Sequence, residues 1–297
     1  MITLTASDAI CVHDAKAVLG ECPIWHPDYE QLFWLDIKGG CLHAYNPANG
    51  GKAKYHFEGM ISAIALAAEH DFICVYEGGF AYLDLAKENV VLASIIDPEA
   101  DKLGNRFNDG KIGPDGAFWA GTMDKVEARR LGTWWRLMPD ARCMAVDTNY
   151  MVTNGPAFDP ERRRVYLTDS ADQSVFVATP TPLGIEDKRV FLQFGSDDGY
   201  PDGMCIDAEG CLWIAFWDGA RVARFDTDGA LLTELSLPVP RPTSLTLVGD
   251  SLFVTSARIG LDKEELSEFP LSGGLFEFTL SRGLEPSRAQ PVYTPNQ

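Results

Sequence analysis

The sequence predicts an all-β fold: a six-bladed β-propeller with four antiparallel strands per blade, closed by the N-terminal strand. Two observations predict it. Short runs rich in Val, Ile, Phe, Trp and Tyr recur between Gly, Pro, Asn and Asp clusters, and long stretches at helical spacing are missing. A polar residue opens one such run in each of six segments, at Glu21, Ser62, Asn108, Asn154, Asp202 and Ser244, 41 to 48 residues apart. A strand-only period of about 45 residues is the signature of a propeller blade.

The elements follow from that register. Each marker precedes a short apolar strand, a turn such as Pro114-Asp115-Gly116 or 207–210 (DAEG), and a second apolar strand. The second strands read as 31–37 (QLFWLDI), 117–123 (AFWAGTM), 164–169 (RVYLTD), 211–217 (CLWIAFW) and 251–256 (SLFVTS). Further strands follow, as at 221–226 (RVARFD) and 231–237 (LLTELSL). After 274–280 (GLFEFTL) little strand pattern remains, so 10–18 (ICVHDAKAV) is expected to supply the missing outer strand. A single blade cannot bury both its faces, so 1–297 is expected to be one domain.

Composition limits the function. The 297 residues are 46% hydrophobic and 23% charged, which suits a folded core. Lys plus Arg is 25 against 43 for Asp plus Glu, a net charge of −18. Such a surface repels phosphate backbones and anionic lipid, so neither nucleic acid nor membrane is an expected partner. The first ten residues lack a leader pattern, and seven cysteines without a C-x-x-C pair fit a reducing, cytoplasmic location. Cys74, Cys205 and Cys211 read as small buried hydrophobes. The five histidines make no H-E-x-x-H, and neither a G-x-S-x-G elbow nor a phosphate loop occurs.

Equivalent blade positions form a ring around a propeller axis. The ring would bring Glu21, Ser62, Asn108, Asn154, Asp202 and Ser244 to one mouth of the channel. Oxygen donors without His or Cys suit a hard divalent ion such as Ca²⁺, Mg²⁺ or Mn²⁺. Arg106 is expected at the same mouth, as a substrate clamp or as a surface ion pair. Asp109 reads as a residue that orients a ligand or as a plain turn residue. His26 aligns with the outer turn at Asp159-Pro160-Glu161 and is expected in solvent. Residues 124–131 (DKVEARRL) read as a flap over the mouth or a solvated loop.

The segments 19–25 (LGECPIW), 106–111 (RFNDGK), 119–123 (WAGTM), 153–156 (TNGP) and 201–207 (PDGMCID) resemble the regucalcin/gluconolactonase (senescence-marker protein) family, with 255–258 (TSAR) and 272–276 (SGGLF) fitting its closing blade. The resemblance implies a six-bladed propeller that hydrolyses sugar lactones with one divalent metal. It implies Glu21, Asn154 and Asp202 as metal ligands and Arg106 and Asn108 as substrate contacts. The metal is one of Ca, Mg, Mn, Zn or Fe. Vertebrate regucalcin-like members carry adjacent acidic residues shortly after G-T-M; here Asp124-Lys125-Val126-Glu127 follows, so the identity of the sugar does not transfer.

The expected reaction is hydrolysis of an aldono-lactone to its aldonic acid, the metal polarising the carbonyl and Asp202 or metal-bound hydroxide acting as base. Competing readings are a calcium-binding regulatory protein of the regucalcin type, an organophosphate hydrolase and a protein-interaction propeller. Arg106 and Asn108 favour the enzyme, because a calcium sensor has no need of them. A monomer or a homodimer fits equally.

Overall fold

A computed structural model describes residues 7–281, 284 and 291–295. Residues 1–6, read above as lacking a leader pattern, and most of the chain after 281 lie outside the described residues. The fold is all-β, assembled from four-stranded antiparallel meanders as propeller blades are.

The first meander comprises β2 (Gly20–His26), β3 (Gln31–Asp36), β4 (Cys41–Tyr45) and β5 (Lys52–His56), after a short β1 (Ile10–His13). The second comprises β6 (Ile61–Leu66), β7 (Phe72–Tyr76), β8 (Gly79–Ala86) and β9 (Asn89–Ile96). Next come β10 (Asn105–Ile112), β11 (Phe118–Asp124), β12 (Gly132–Leu137) and β13 (Cys143–Tyr150), then β14 (Thr153–Asp159), β15 (Arg164–Asp169), β16 (Ser174–Thr181) and β17 (Gly184–Gln193). They are followed by β18 (Tyr200–Ile206), β19 (Leu212–Trp217), β20 (Arg221–Phe225) and β21 (Leu231–Ser236). The last strands among the described residues are β22 (Pro242–Val248), β23 (Ser251–Ser256) and β24 (Leu275–Thr279), the last two separated by a short helix, α1 (Lys263–Glu268).

The sheet count corrects the six-bladed expectation. Four sheets have four strands each, and one has eight, in the order β2-β3-β4-β5-β9-β8-β7-β6. The cause is a parallel bridge between outer strands, His56 with Asn89, supported by the His56 N–H donating to the Glu88 carbonyl at 2.8 Å. Two stretches read as separate blades therefore share one ladder. β1 pairs antiparallel with β24 as the outer strand of the sheet β1-β24-β23-β22.

Contacts divide the chain into two compact units, Met1–Lys54 with Phe194–Arg288 and Tyr55–Gln193 with Ala289–Gln297. In the first, Trp213, Ala215, Val222, Leu245, Leu252 and Phe276 anchor one apolar cluster, while Leu32, Trp34, Phe253 and Leu275 anchor another. In the second, Trp134, Tyr150, Val165 and Leu167 pack together. Second strands such as β3 and β15 are buried on both faces, which is why they read as unbroken apolar runs. Outer strands such as β5 alternate between exposed and half-buried positions, and the β5 sequence alternates accordingly.

Strand ends are set by side chains that cap the turns. Asp36 ends β3 because its carboxylate accepts N–H bonds from Val18 at 2.9 Å, Leu19 at 3.0 Å and Gly39 at 2.8 Å. Asp169 ends β15 in the same manner, accepting from Met151 and Val152. Among the described residues no helix is long and apolar enough to cross a membrane.

Candidate functional site

All six marker residues lie on the first strand of a meander, and the pairing register of that strand shifts at or beside each of them. The shifts fall between Glu21 and Ile24, Ile61 and Ala63, Phe107 and Asp109, Asn154 and Ala157, Pro201 and Met204, and Pro242 and Leu245. A bulge takes residues out of the ladder and re-aims their side chains, a device common beside active sites. Glu21, Ser62, Asn154, Asp202 and Ser244 are buried and Asn108 is half-buried.

The first unit carries Glu21, Asp202 and Ser244 on neighbouring first strands. β18 approaches β22 so closely that a Cβ built on Gly203 would stand 2.2 Å from Ser244 Oγ. β22 meets β2 through Thr243 Oγ1, which donates to the Gly20 carbonyl at 2.5 Å and also bonds Thr255 Oγ1 at 2.9 Å. Glu21 Oε2 accepts the N–H of Cys22 at 3.1 Å. The two acids of the expected ligand set are thus buried on strands whose spacing only small residues permit.

The second unit brings Arg106, Asn108 and Asn154 into direct contact. Arg106 Nη1 donates to the Phe107 carbonyl at 2.9 Å and to Asn108 Oδ1 at 2.7 Å. Asn108 Nδ2 donates to Asn154 Oδ1 at 3.0 Å and to the Thr153 carbonyl at 2.8 Å. Asn154 Nδ2 donates onward to Ser170 Oγ at 2.8 Å. The chain of donors leaves each amide oxygen with unused acceptor capacity and holds both side chains in one orientation. Arg106 reaches along its own strand to Asn108.

Asp109 sits beneath this chain as more than a turn residue. It is buried and joins two neighbouring first strands, accepting the N–H of Gly110 at 2.7 Å and of Gly155 at 3.1 Å. Burial pushes its carboxyl up to about 6, against the opposing pull of Lys111 and the two N–H groups. Gly155 holds φ of 88°, which glycine adopts without strain.

One other expectation changes, and 125–131 is exposed, as the solvated-loop reading has it. His26 is buried, not in solvent, because Tyr29 of the following turn folds edge-on against its ring at 4.7 Å and Phe33 lies at 6.0 Å. The 124–131 segment is pinned by ion pairs at both ends. Arg129 grips Asp124 with two bonds, of 3.2 and 3.1 Å, and Arg130 reaches Asp169 at 3.1 Å and also Asp172. Asp124 is thereby committed to Arg129. Cys74 and Cys211 are buried as read, whereas Cys205 is half-buried against the core.

Sequence reasoning missed Ser170, the partner of Asn154, since nothing marks a serine one residue past a strand. It also missed Glu99, which collects Lys102 Nζ at 3.0 Å, Thr122 Oγ1 at 3.0 Å, Trp135 Nε1 at 2.9 Å and Asn105 Nδ2 at 2.8 Å. This buried hub fixes the start of β10, one residue before Arg106.

Meander sheets whose first strands bulge at a repeated polar position define a propeller-like protein with a polar, oxygen-rich register. A family model described as SMP-30/Gluconolactonase/LRE-like region matches residues 19–258, and the chain belongs to this family. It is 32% identical over 288 residues to a 6-deoxy-6-sulfogluconolactonase of Pseudomonas putida, covering 95% of this chain and 97% of that one. It is 33% identical over 280 residues to regucalcin of Gallus gallus, covering 91% and 93%. A crystal structure of a calcium-binding protein, regucalcin, from Agrobacterium tumefaciens superposes with a TM-score of 0.89 at 28% identity, covering 97% of each chain.

Proposed function

We propose that this protein hydrolyses a sugar lactone, of the aldono-lactone class, to the open acid with one divalent metal. The observation that carries the reading is the bulge that recurs at all six marker positions, because it withdraws oxygen-bearing side chains from sheet pairing at one repeat phase. The relatives named as a lactonase and as regucalcin support the reaction class.

Glu21, Asn154 and Asp202 are proposed as metal-ligating residues. All three are buried and offer oxygen, with no sulfur or imidazole among them, a donor set that fits a hard ion such as Ca²⁺ or Mg²⁺. The ion, when bound, supplies positive charge to polarise the lactone carbonyl. Arg106 and Asn108 are proposed to hold sugar hydroxyls: the guanidinium is a fixed fork of donors bonded to Asn108, and the hydrogen-bonded chain to Ser170 restrains the amide. Asp202, one of the two carboxylates of the set, is proposed to take the proton of the attacking water. The whole chain acts as one domain in this reading.

The test is acid release from pentono- and hexono-lactones, followed with a pH indicator on metal-stripped protein, with Ca²⁺, Mg²⁺, Mn²⁺, Zn²⁺ or Fe²⁺ restored. Metal-dependent release on one or two lactones, lost in a folded Asp202→Ala variant, is the expected outcome. Calcium binding by folded protein with no release from any lactone would overturn the enzyme reading in favour of a regucalcin-type calcium-binding role. Wild-type turnover in metal-loaded Asp202→Ala would remove Asp202 as base.

A further inference from the structure

We propose that Asp36, Cys41 and His43 form a binding site for a borderline-soft dication such as Zn²⁺, separate from the oxygen-donor residues above. The three side chains lie on the β3–β4 hairpin within the first unit. Asp36 pairs with Cys41 across the ladder and Trp34 with His43, so period-two alternation puts the three donors on one face. Their ligand atoms all lie within 4.8 Å of one another, and all three residues are buried.

The geometry matches a metal site in detail. Cys41 Sγ and His43 Nε2 are 3.4 Å apart. Bonds of about 2.3 Å to sulfur and about 2.05 Å to nitrogen at a tetrahedral angle place those atoms about 3.6 Å apart. The same distance suits a thiol–imidazole hydrogen bond, so the third donor and the surroundings carry the argument. Three backbone N–H groups lock the Asp36 carboxylate, and Oδ2 accepts only one of them, from Val18. The His43 ring is held by stacking on Trp34 at 4.3 Å and 17°. Partners of this kind orient ligands in natural metal sites. His13 packs edge-on to His43 at 5.3 Å, and its buried Nδ1 has no hydrogen-bond partner, so a further nitrogen donor stands beside the cluster.

Charge decides the type of ion. A thiolate and a carboxylate neutralise a dication, and sulfur with imidazole selects zinc over calcium or magnesium. The Lys54 charge lies near enough to Cys41 to favour its thiolate, opposing the burial that raises the thiol. Lys38 and Gly39 of the turn between the strands are exposed, and Gly39 lies against the Asp36 carboxylate, whose Oδ2 an added Cβ would meet.

The inference uses no residue of the lactonase reading, and its test does not depend on activity. Full-length protein is stripped with chelator, saturated with Ca²⁺, and titrated with Co²⁺. One equivalent of Co²⁺ should bind with a near-ultraviolet thiolate-to-cobalt charge-transfer band, displaced by Zn²⁺. In Cys41→Ala the band should vanish and Co²⁺ affinity should fall by more than about 100-fold, beyond the loss typical of an outer partner. His43→Gln should lower the affinity while keeping a sulfur band, which serves if Cys41→Ala does not fold. Folded wild type that shows no such band, or a band that survives in Cys41→Ala, would overturn the proposal and leave a plain thiol–imidazole hydrogen bond.

Discussion

Gly203→Ala is the sharpest probe of how the site is built. Gly203 follows Asp202 in the β18 bulge, and an added Cβ would lie 2.2 Å from Ser244 Oγ, 2.6 Å from its Cβ and 2.8 Å from its Cα. The hydroxyl can rotate away; the Cβ and Cα cannot. Ordinary contact begins at 3.4 Å, so β18 and β22 must separate by about 0.8 Å to clear the Ser244 Cβ. Two effects oppose each other. Alanine restricts the unfolded chain and by itself stabilises by about 0.4–1 kcal/mol. Overpacking a tight contact costs about 1–3 kcal/mol. The clash wins, with a net loss of about 1–2 kcal/mol. Because the displaced backbone carries Asp202, a shift of this size also exceeds the about 0.5 Å tolerance of a preorganised site. Thermal unfolding should show a lowered Tm, and metal-dependent lactone hydrolysis should fall by roughly 10- to 100-fold. Adding Ser244→Gly removes two of the three clashing atoms and should restore part of both. Unchanged stability in Gly203→Ala would refute the argument that close approach of β18 and β22 requires glycine.

Three further outcomes are expected. Arg224→Ala should destabilise by about 3 kcal/mol in denaturant titration, because the fully buried Asp207 carboxylate loses the cation that meets it at 2.7 Å and keeps only N–H donors from Glu209, Cys211 and Trp213; a loss below about 1 kcal/mol would mean those donors suffice. The raised carboxyl of Asp109 makes ionisation unfavourable in the folded state. Its cost is absent below about pH 4 and complete above about pH 6, on the order of 3 kcal/mol, so metal-free wild type should lose stability relative to Asp109→Asn as pH rises through that window; a pH-independent difference would contradict the burial argument. Glu99→Ala should loosen the start of β10 by removing the acceptor of four donors, and faster hydrogen exchange at Asn105 and Thr122 is the readout, with unchanged exchange counting against the hub.

Much of the architecture was legible because strand signals are local. The second strands predicted at 31–37, 164–169 and 251–256 agree with β3, β15 and β23 to within a residue, since burial on both faces writes an unbroken apolar run. The six markers were legible for a related reason. A repeated backbone irregularity needs a repeated exception in the residue pattern, and a polar residue at the head of an apolar strand is that exception. Merging of two meanders through His56 and Asn89 was not legible, because one backbone bridge between outer strands asks nothing specific of either side chain.

Burial of individual polar residues also escaped the sequence. His26 reads as a turn residue in solvent, yet Tyr29 folds over it; Asp109 reads as an orienting residue or a turn residue, and only the Gly155 N–H on its second oxygen shows the link between strands. The sequence by itself determined the strand class, the repeat and the family pattern, since each is encoded by neighbours along the chain. Only the tertiary structure decided that Arg106, Asn108, Asn154 and Ser170 share one hydrogen-bonded chain, and that Asp36, Cys41 and His43 converge under a hairpin turn. Those contacts depend on strand register and on which glycines let two backbones close, quantities set by packing between segments rather than within them.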